Sequence, residues 1–334
     1  MAYDAFLLLS FGGPEGQDDV LPFLENVTRG RGIPRERLEA VAGHYRHFGG
    51  VSPINAQCRE LIEALRPHLD LPIYWGNRNW HPMLADTVEK MRDDGVQHVL
   101  AFVTSPFGSY SSCRQYLDDI ERARAQVPGA PVIDKIRHYH DHPGYIAPHA
   151  DAVRAALASL PGSTPARIAF TAHSIPTAMN AASGPGGQGR YVAQLRETAA
   201  LVAAAAAPGL EWDLVWQSRS GPPQVPWLEP DINDHLEQLA KDGVSEVVVS
   251  PIGFISDHLE VAWDLDEEAK ATAERLGLAY ARAGTPGADP RFVDMVRQLV
   301  DERVLAHSNV RHALGTVPTW DFCPADCCAS PKRA

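Results

Sequence analysis

Eight short apolar segments, rich in β-branched and aromatic residues, alternate with helical patterns along most of the chain. The segments are AFLLLSF, PIYWG, HVLAFVT, PVID, RIAFTA, WDLVWQS, EVVVSPIGF and LAYARAG. Between them lie stretches such as HPMLADTVEKMRDDG and INDHLEQLAKDG, whose apolar residues recur at three and four positions and which close on glycine. This alternation predicts an α/β fold with parallel sheets that are covered by helices on both faces.

The two halves of the chain repeat similar local patterns. The segments MRDDGVQHVLAFVTSP and LAKDGVSEVVVSP each combine a helix end, a glycine and a strand that ends in Ser-Pro. LLLSFGGP and IAFTAHSIP each combine a strand with a turn that ends in proline. In this comparison Phe11 and His173 occupy equivalent positions, at the carboxyl end of the first strand of each half. Because ligands of parallel sheets bind outside the carboxyl ends of the strands, we expect these residues to face each other across one cleft.

Charge and hydropathy exclude several classes of protein. The 334 residues include 42 acidic and 30 basic side chains, a formal net charge of −12, which disfavours binding to nucleic acid and to anionic membranes. No segment reaches the roughly 18 uninterrupted apolar residues that a membrane span requires. The opening MAYDAFLLLSFGG lacks the basic region of a signal peptide, and we interpret it as a first strand. We therefore expect a cytoplasmic protein without stable membrane insertion.

One stretch, TRGRGIPRER, departs from the acidic composition. It concentrates Arg29, Arg31, Arg35 and Arg37. Such a run is commonly a solvated basic face, and the alternative is a site for a small anionic ligand. The residues alone leave both interpretations open.

The cysteines are few and unevenly distributed. In a cytosolic chain of this size, five cysteines do not indicate a disulfide framework. Cys323, Cys327 and Cys328 crowd together near the C-terminus, and clustered thiols in a reducing compartment indicate a metal site. Cys113 lies far upstream. Cys58, in the helical pattern NAQCRELIEAL, is predicted to be a packed core residue.

His173 is the first candidate for catalysis. In FTAHSIP it ends a predicted strand and precedes a turn that contains proline, which places it at a sheet edge and not inside a core. Catalytic loops collect at the carboxyl ends of strands. An imidazole, with a reference pKa near 6.5, can accept and return protons at neutral pH. A structural role is the alternative.

An acidic ridge follows another predicted strand. Glu260, Asp264 and Glu268 are spaced four apart, so they share one face of a helix. Each like-charge pair at this spacing costs roughly 0.2–0.5 kcal/mol, and no basic residue before Lys270 offsets it. The ridge is either a solvated surface row or a track of oxygen ligands for a divalent cation. In the second case it leads inward to Glu260 and His258.

Together these residues suggest proton removal coupled to the handling of a metal ion. We expect His173 on one wall of a pocket and the acidic ridge on the opposing wall, contributed by the other domain. The stretch SGPGGQG has glycines in the spacing of a dinucleotide fingerprint, but it follows a turn and not a strand. We interpret it as a flexible, glycine-rich loop near the cleft.

These segments resemble those of ferrochelatases. FTAHSIP and SPIGFISDHLEVAWDLDEEA resemble the two signature segments of that family. LLLSFGGPE, FGGVSPIN, HPMLADT and WQSRSGPPQVPWLEPDI resemble its other blocks in the same order. The resemblance spans nearly the whole chain and is nearest to the actinobacterial, coproporphyrin-using type with a C-terminal iron–sulfur cysteine tail.

The resemblance implies two Rossmann-like domains of the chelatase type, with a porphyrin cleft between them. We place the N-terminal domain at 1–136, joined by the C-terminal helix and tail 287–334. The C-terminal domain is placed at 137–286, and by these bounds it carries both His173 and Glu260, in contrast to the arrangement on two domains. The implied activity is insertion of Fe(II) into a tetrapyrrole in haem synthesis. His173 would accept protons from the pyrrole nitrogens, and Glu260 would bind metal or relay protons. The implied metal ligands are His173, Glu260, Asp264 and Glu268.

The resemblance also implies a cofactor. Some members of the family carry a 2Fe-2S cluster on one internal and three C-terminal cysteines, which here correspond to Cys113, Cys323, Cys327 and Cys328. Four thiolates are the number that such a cluster takes. Neighbouring side chains diverge in extended backbone, so Cys327 and Cys328 can both be ligands only in a tight turn. A zinc site and spare thiols are the alternatives.

The choice of porphyrin depends on cationic anchors. Coproporphyrin III carries four propionates and protoporphyrin IX two, and guanidinium groups suit carboxylates. The polar region LENVTRGRGIP stands where membrane-associated relatives carry a hydrophobic lip, so we expect coproporphyrin III. Related enzymes often carry Tyr at the position of Phe11, whose ring cannot coordinate iron. The expected substrate-binding residues are Phe11, Arg29, Arg31, Arg46, Ser52, Tyr116 and His258.

Two further alternatives stay open at this point. One is a protoporphyrin IX ferrochelatase. The other is a non-catalytic tetrapyrrole carrier or iron–sulfur sensor on the same fold, which would not need both His173 and Glu260. We expect a monomer whose partners are coproporphyrin III, ferrous iron and a downstream enzyme of the haem pathway.

Overall fold

The computed structural model describes residues 3–305 and 310–330. Strands β1 to β8 span Ala5–Ser10, Ile73–Asn77, His98–Val103, Val132–Lys135, Arg167–His173, Trp212–Gln217, Glu246–Ser250 and Ala279–Arg282. Helices α1 to α12 span Val20–Val27, Arg35–His47, Pro53–Leu65, Leu84–Asp93, Gln115–Gln126, Pro143–Ser159, Thr177–Ala181, Arg190–Ala206, Ile232–Lys241, Leu259–Ala262, Lys270–Leu276 and Pro290–Val304. Two segments are π-helical, Tyr110–Arg114 and Trp263–Ala269, and two are 3₁₀ turns, Gln17–Asp19 and Arg66–His68. Over these described ranges, no helix is both long and apolar enough to cross a membrane.

Each half of the chain forms a four-stranded parallel sheet. The strand order is β2-β1-β3-β4 in the first sheet and β6-β5-β7-β8 in the second, so the two sheets share one topology. All pairs within them are parallel. All eight predicted strands are confirmed, as is the α/β fold class. The common topology also agrees with the local patterns that repeat between the halves.

A central hydrophobic core lies between the two sheets. In β1, Phe6 and Leu8 point into this core, and in β5 the buried Phe170 does the same. The core also contains buried residues of α3, α6, α8 and α12. Because side chains alternate along a strand, every second residue of both first strands faces this shared layer. The two halves therefore pack against each other through one apolar interior.

The outer face of each sheet has its own core. Leu7 and Leu9 of β1 pack with buried residues of α4 and α5. In the second sheet, Val247 and Val249 of β7 pack with α9, α11 and the π-helix Trp263–Ala269. Both sheets are thus covered on both faces, which explains why their strands are nearly continuous apolar runs.

The C-terminal part of the chain crosses the boundary between the halves. Helix α12 contacts both α3 and α6. After it, residues 310–330, here called the C-terminal strap, begin next to Arg137. The guanidinium of Arg137 is buried and donates to both carboxylate oxygens of Glu302 at 2.7 and 2.9 Å, and to the carbonyl of His312 at 3.0 Å. This buried pair fixes α12 and the start of the strap. The domain boundaries stay a prediction.

The substitution Glu302→Gln should destabilise the fold strongly, because it leaves the Arg137 charge buried without a carboxylate. Removal of one partner of a buried ion pair costs about 3–5 kcal/mol. Urea unfolding followed by circular dichroism measures the loss in free energy of unfolding. Glu63→Gln is the matched control, because Glu63 pairs with Arg66 on the exposed surface and such a pair is worth about 0–1 kcal/mol. Equal losses in the two variants would contradict this interpretation.

Candidate active site

The candidate site lies where the second sheet reverses its strand order. Strand β5 is paired with β6 on one side and with β7 on the other, so the connections that leave β5 and β7 diverge. Such a point opens a crevice outside the carboxyl ends of the strands. His173 is the last residue of β5, and Glu260 lies in the first turn of α10, shortly after β7. The topology therefore brings the two together.

His173 is held as a single tautomer. Its Nδ1 lies 2.5 Å from the carbonyl oxygen of Ser174. Because a carbonyl can only accept, Nδ1 carries a proton, and in the neutral imidazole the lone pair is then on Nε2. Nε2 lies 3.9 Å from Oε2 of Glu260, and the two side chains are 36% and 46% exposed. The site thus presents a basic nitrogen and a carboxylate to solvent, side by side.

The expectation that His173 and the acidic ridge lie on opposing walls from different domains is wrong. Both belong to the C-terminal half, because β7 pairs directly with β5 and α10 begins close to the end of β5. The N-terminal half contributes a different set of side chains to the same region.

Asp264 is the most buried carboxylate of the ridge. It accepts hydrogen bonds from the hydroxyl of Ser218 and from Nε2 of Gln217, at 3.2 Å in the second case. Gln217 is the β6 partner of His173, so the ridge continues along the strand ends. Ser218 adopts a φ of 60°, which L-residues rarely do, and this turn aims its hydroxyl at Asp264. Burial, with added repulsion from Glu260, raises the pKa of Asp264 to about 7.

The three carboxylates of the ridge are electrostatic neighbours. Both Glu260 and Glu268 raise the pKa of Asp264, which agrees with the prediction that the three share one face. From Trp263 to Ala269 the helix is π-helical, a rare form that is frequent at functional sites. Glu268 accepts from Nε1 of Trp263 at 2.8 Å. This bond orients the outer end of the ridge.

His258 lies just before α10, at its N-cap position. Its ring packs edge-on against Phe254, with the centroids 5.1 Å apart. Burial lowers the pKa of His258, and the neighbouring Glu260 only partly offsets this. His258 therefore borders the Glu260 carboxylate as a neutral imidazole at physiological pH.

The N-terminal half reaches the site through an aromatic cluster. The ring of Phe11 lies 6.3 Å from that of Phe23, which in turn lies 5.9 Å from Tyr45. Tyr45 is buried, and burial together with the charge of Glu260 raises its pKa well above the usual range. Leu259 packs into the same cluster. The aromatic cluster therefore extends from Phe11 to Leu259, the neighbour of Glu260, across the two halves.

A second contact between the halves joins α2 to the π-helix. The imidazole of His44 stacks on Trp263, with ring centroids 3.9 Å apart and an angle of 6° between the planes. Nε2 of His47 lies 3.3 Å from Glu267. The backbone N–H of Asp257 also donates to Gln57 at 2.9 Å. These contacts close one side of the site.

Apart from Phe11 and His258, the predicted substrate-binding residues fall into an exposed group and a buried group. Arg29 and Arg31 are exposed, and no ion pair is found for either of them within residues 3–305 and 310–330. Arg46 is also exposed but pairs with Glu39 at 3.3 Å. Ser52 and Tyr116, by contrast, are buried. Only the arginines are therefore free to meet a carboxylate from solvent without rearrangement of the core.

Arg78 was missed by the sequence reasoning. Its guanidinium lies 5.8 Å from the ring centroid of Phe11 and 4.5 Å from that of Tyr116, and it forms an ion pair with Asp119. Arg78 directly follows β2. The rule that pointed to His173, a functional side chain at the carboxyl end of a parallel strand, would have found Arg78 as well.

The four predicted cluster cysteines converge. The sulfurs of Cys327 and Cys328 lie 3.8 Å apart, and Cys323 forms sulfur contacts with both Cys113 and Cys327 that lower its pKa. Cys328 has a φ of 54°, and the N–H of Cys327 donates to the Pro324 carbonyl at 3.0 Å. This is the tight turn that two adjacent ligands require. Cys58 is buried in the central core, as predicted.

A second group of metal-type side chains lies at the strap. His140, Asp141 and Glu197 hold ligand-type atoms within 4.8 Å of one another, and theirs is the one such group found in the described part of the chain. Glu197 is already fully engaged, however. It accepts from Nε2 of His140 at 3.1 Å and from the backbone N–H groups of Thr316 and Val317. Nδ1 of His140 lacks the partner that a metal-bound histidine normally has. The group is therefore an anchor for the strap.

The larger of two small cavities lies away from the site. It has a volume of about 170 Å³ and is lined by residues that include Arg167, Leu210 and Val244, at the amino ends of the second sheet. Its volume is below the roughly 300 Å³ at which ligand pockets begin. The smaller cavity borders the site at Ile255 and Ser256. His173 and Glu260 themselves are exposed to solvent.

Comparison with known proteins gives the class and then the family. The structure of SirB from Bacillus subtilis with Fe3+ aligns with a TM-score of 0.52, over 93% of this chain and 99% of that chain, at 14% identity. The sirohydrochlorin chelatase SirB from Bacillus subtilis subspecies spizizenii in complex with cobalt gives 0.51 over the same shares, at 13% identity. The fold is thus that of the chelatases.

The sequence comparisons are more specific. The profile described as Ferrochelatase matches residues 3–304. A coproporphyrin III ferrochelatase of Nocardia farcinica is 57% identical, with 100% of this chain and 98% of the relative covered. One of Mycobacterium tuberculosis is 53% identical over the same shares. The chain belongs to the ferrochelatase family.

Because Glu197 anchors the strap, the free energy of unfolding should depend on pH in the acidic range. Partial burial raises the pKa of Glu197, but hydrogen bonds from His140, Thr316 and Val317 outweigh it and lower the pKa from 4.5 to about 2. Because the folded-state value is the lower one, this contribution is complete above pH 4.5 and is lost as the pH falls towards 2.

In Glu197→Gln, we expect the free energy of unfolding to fall less steeply between about pH 5 and pH 3 than in the wild type. Urea titrations at several pH values measure the slope. Glu211→Gln, which alters the exposed partner of Arg167, should keep the wild-type slope. A wild-type slope in Glu197→Gln would show that the anchor does not act through the Glu197 charge.

Proposed function

We propose that this protein inserts Fe(II) into coproporphyrin III to give Fe-coproporphyrin during haem biosynthesis. The observation that carries the proposal is the exposed site beyond the ends of β5 and β7, where Nε2 of an imidazole lies 3.9 Å from a carboxylate. Membership of the ferrochelatase family and relatives named coproporphyrin III ferrochelatase support it.

The reaction requires bases near the ring. A free porphyrin carries two N–H protons, and when Fe(II) binds the four nitrogens both protons must leave. In the proposed mechanism the neutral His173 accepts a pyrrole proton at Nε2, because Nδ1 stays bonded to the Ser174 carbonyl and the side chain is exposed. Glu260 binds the incoming iron or passes the second proton outward. Bending of the macrocycle would expose the nitrogen lone pairs.

The acidic ridge would serve as the path for iron. Glu268, Asp264 and Glu260 offer successive oxygen ligands from the exposed end towards His173, and oxygen suits a hard divalent cation. Asp264, with a pKa of about 7, can exchange a proton for the passing cation near neutral pH. No part of this path needs Phe11, which has no ligand atom.

The choice of coproporphyrin III rests on exposed arginines of the N-terminal half. Arg29 and Arg31 are exposed, and Arg46 can exchange its pair with Glu39 for a propionate, because an exposed ion pair is worth only about 0–1 kcal/mol. His258 would contribute beside Glu260, whereas Ser52 and Tyr116 are buried and would contribute only after local rearrangement. Protoporphyrin IX, with two propionates, would leave some of these arginines unused and is the second candidate substrate.

The four thiols fit a 2Fe-2S cluster better than zinc. A tetrahedral zinc, with bonds of about 2.3 Å, would hold all four sulfurs within about 4 Å of one another. No three of the sulfurs of Cys113, Cys323, Cys327 and Cys328 lie within 4.8 Å of each other. The sulfur of Cys323 contacts those of Cys113 and Cys327, and the sulfur of Cys327 contacts that of Cys328. Ligation in pairs is what two irons require. When bound, such a cluster takes up and returns one electron.

The proposal extends to the setting of the enzyme. We infer a cytoplasmic monomer that binds neither nucleic acid nor membrane and passes its product to a later enzyme of the haem pathway. A non-catalytic carrier or iron–sulfur sensor is the competing class, and it has no need for the paired His173 and Glu260.

An anaerobic Fe(II) titration, followed by the Soret band with coproporphyrin III and with protoporphyrin IX, tests the activity. We expect metallation, faster with coproporphyrin III. In His173→Ala, turnover should fall by at least about 10²-fold because general-base catalysis is lost, while porphyrin still binds. No metallated product with either porphyrin would favour the carrier, and substantial turnover in His173→Ala would remove this residue from the base role.

The cluster has its own test. Protein purified anaerobically should absorb in the visible range, and Cys113→Ser should lose this absorption because one of four ligands is missing. Cys58→Ser is the matched control and should stay coloured, because Cys58 is packed in the central core. A colourless wild-type preparation would argue against the cluster.

A further inference from the structure

Tyr191 contacts the backbone of the proposed catalytic base. Its hydroxyl donates to the carbonyl oxygen of His173 at 2.9 Å. The side chain is 5% exposed, and its ring lies between those of Phe107 and Trp216, with centroid distances of 6.3 and 6.0 Å. A buried tyrosine with so few alternatives for its hydroxyl holds its acceptor in place.

This contact bears on the orientation of the imidazole. The His173 carbonyl belongs to the peptide group that joins it to Ser174, and the Ser174 carbonyl in turn holds Nδ1 of His173. The other side of the same peptide is fixed by the bond from Ser174 N–H to the Gln217 carbonyl, at 2.8 Å. If the Tyr191 bond is lost, this peptide can rotate, and Nε2 moves relative to Glu260.

The position of Tyr191 depends on the loop before α8. Its backbone N–H donates to the hydroxyl of Ser183 at 2.9 Å, and that hydroxyl donates to the carbonyl of Asn180 at 2.6 Å. Ser183 is fully buried. The amide oxygen of Asn180 also accepts from Val192 N–H at 3.2 Å. The glycine-rich loop that the sequence indicated to be flexible is thus tied to the start of the helix.

The same loop is held by the thiol cluster. The N–H of Gly184 donates to the sulfur of Cys328 at 3.3 Å, and the N–H of Cys328 donates back to the Gly184 carbonyl at 3.4 Å. The guanidinium of Arg190 lies 5.1 Å from the ring centroid of Trp320 in the strap. Two further points therefore join the loop to the cysteine-bearing end of the chain.

Helix α8 also contacts the segment that leads to the internal cysteine. The amide oxygen of Gln194 accepts from Gly108 N–H at 2.7 Å. The next residue, Ser109, caps the π-helical turn that carries Cys113. The first turns of α8 therefore connect His173 on one side with two groups of thiols on the other, the internal Cys113 and the C-terminal cysteines.

We infer that the cysteine-bearing tail orients the catalytic base, through the contact series Cys328, Gly184, Ser183, Tyr191 and His173. This inference rests on the proposed function, and within it Tyr191 is a positioning residue. A shift of about 1 Å at a reacting group can lower a rate by about 10²-fold. Loss of the thiol set would then slow proton removal while leaving porphyrin binding intact.

A double-mutant cycle tests the inference. Tyr191→Phe, Cys328→Ser and the double variant are compared with wild type for metallation of coproporphyrin III, with kcat and KM measured separately. We expect each single variant to lower kcat by about tenfold or more, with KM for the porphyrin within about twofold of wild type. Because both act on one series of contacts, the double variant should be no slower than the slower single variant. Tyr74→Phe, which loses a hydroxyl bonded to Asp94, is the matched control and should keep wild-type kcat.

Losses that multiply in the double variant, or an unchanged kcat in Tyr191→Phe, would overturn the inference. If Cys328→Ser does not fold, Ser183→Ala replaces it, because it interrupts the same series without changing a thiol.

A readout without turnover separates this inference from the proposed function. Diethyl pyrocarbonate modification of His173, quantified by peptide mass spectrometry, should change in rate in Tyr191→Phe and Cys328→Ser and not in Tyr74→Phe. This measurement remains decisive even if wild type metallates neither porphyrin. Equal modification rates in all variants would disprove the coupling.

Discussion

The pairing of β5 with β7 is the contact on which the candidate site depends. Backbone hydrogen bonds hold neighbouring strands about 4.8 Å apart, so their carboxyl ends open into the same crevice. His173 ends one strand, and Glu260 follows the other after the connection 251–258. The 3.9 Å between them is therefore set by the sheet together with the contacts that hold this connection, such as the bond from Asp257 N–H to Gln57. A site built in this way fixes His173 on the sheet and leaves both side chains exposed to a substrate.

Repulsion between the carboxylates of the acidic ridge destabilises the folded chain, and the neighbouring side chains offset this repulsion only partly. Three carboxylates share one helix face, and Asp264 is drawn towards the interior by Ser218 and Gln217. Because its pKa is raised to about 7, Asp264 can take up a proton near neutral pH, which relieves the repulsion from its neighbours. A divalent cation would relieve it better and would release that proton. Proton release on metal entry is also what chelation by a porphyrin demands, so the ridge and the reaction share one chemistry.

Local sequence patterns were sufficient to predict the strands and helices. They were insufficient to predict which strands pair and which side chains meet after packing. The strands were predictable because buried parallel strands are apolar and β-rich, and the tight turn at Cys327 because adjacent ligands leave few alternatives. His173 was singled out from its predicted place at a strand end, and it does end β5. The assignment of His173 and the acidic ridge to different domains was wrong, because no local signal in either segment tells that β7 pairs with β5. The role of Tyr191 was invisible for a related reason: its hydroxyl meets His173 only after α8 has packed on the sheet.

Two groups of contacts that hold the C-terminal strap differ in what they can transmit. Near its start, Arg137, Glu302 and Glu197 bind the backbone of residues 312 to 317 through buried or multiple hydrogen bonds. At its end the thiols contact Gly184 of the loop before α8. Because the first group does not involve the thiols, a change at the cysteines need not detach the strap or unfold the core. Its effect falls on the last residues, on the turn that carries Cys113 and on the loop that leads into α8 and Tyr191. The structure therefore allows the thiol set to affect the base selectively, without loss of the fold that holds the substrate.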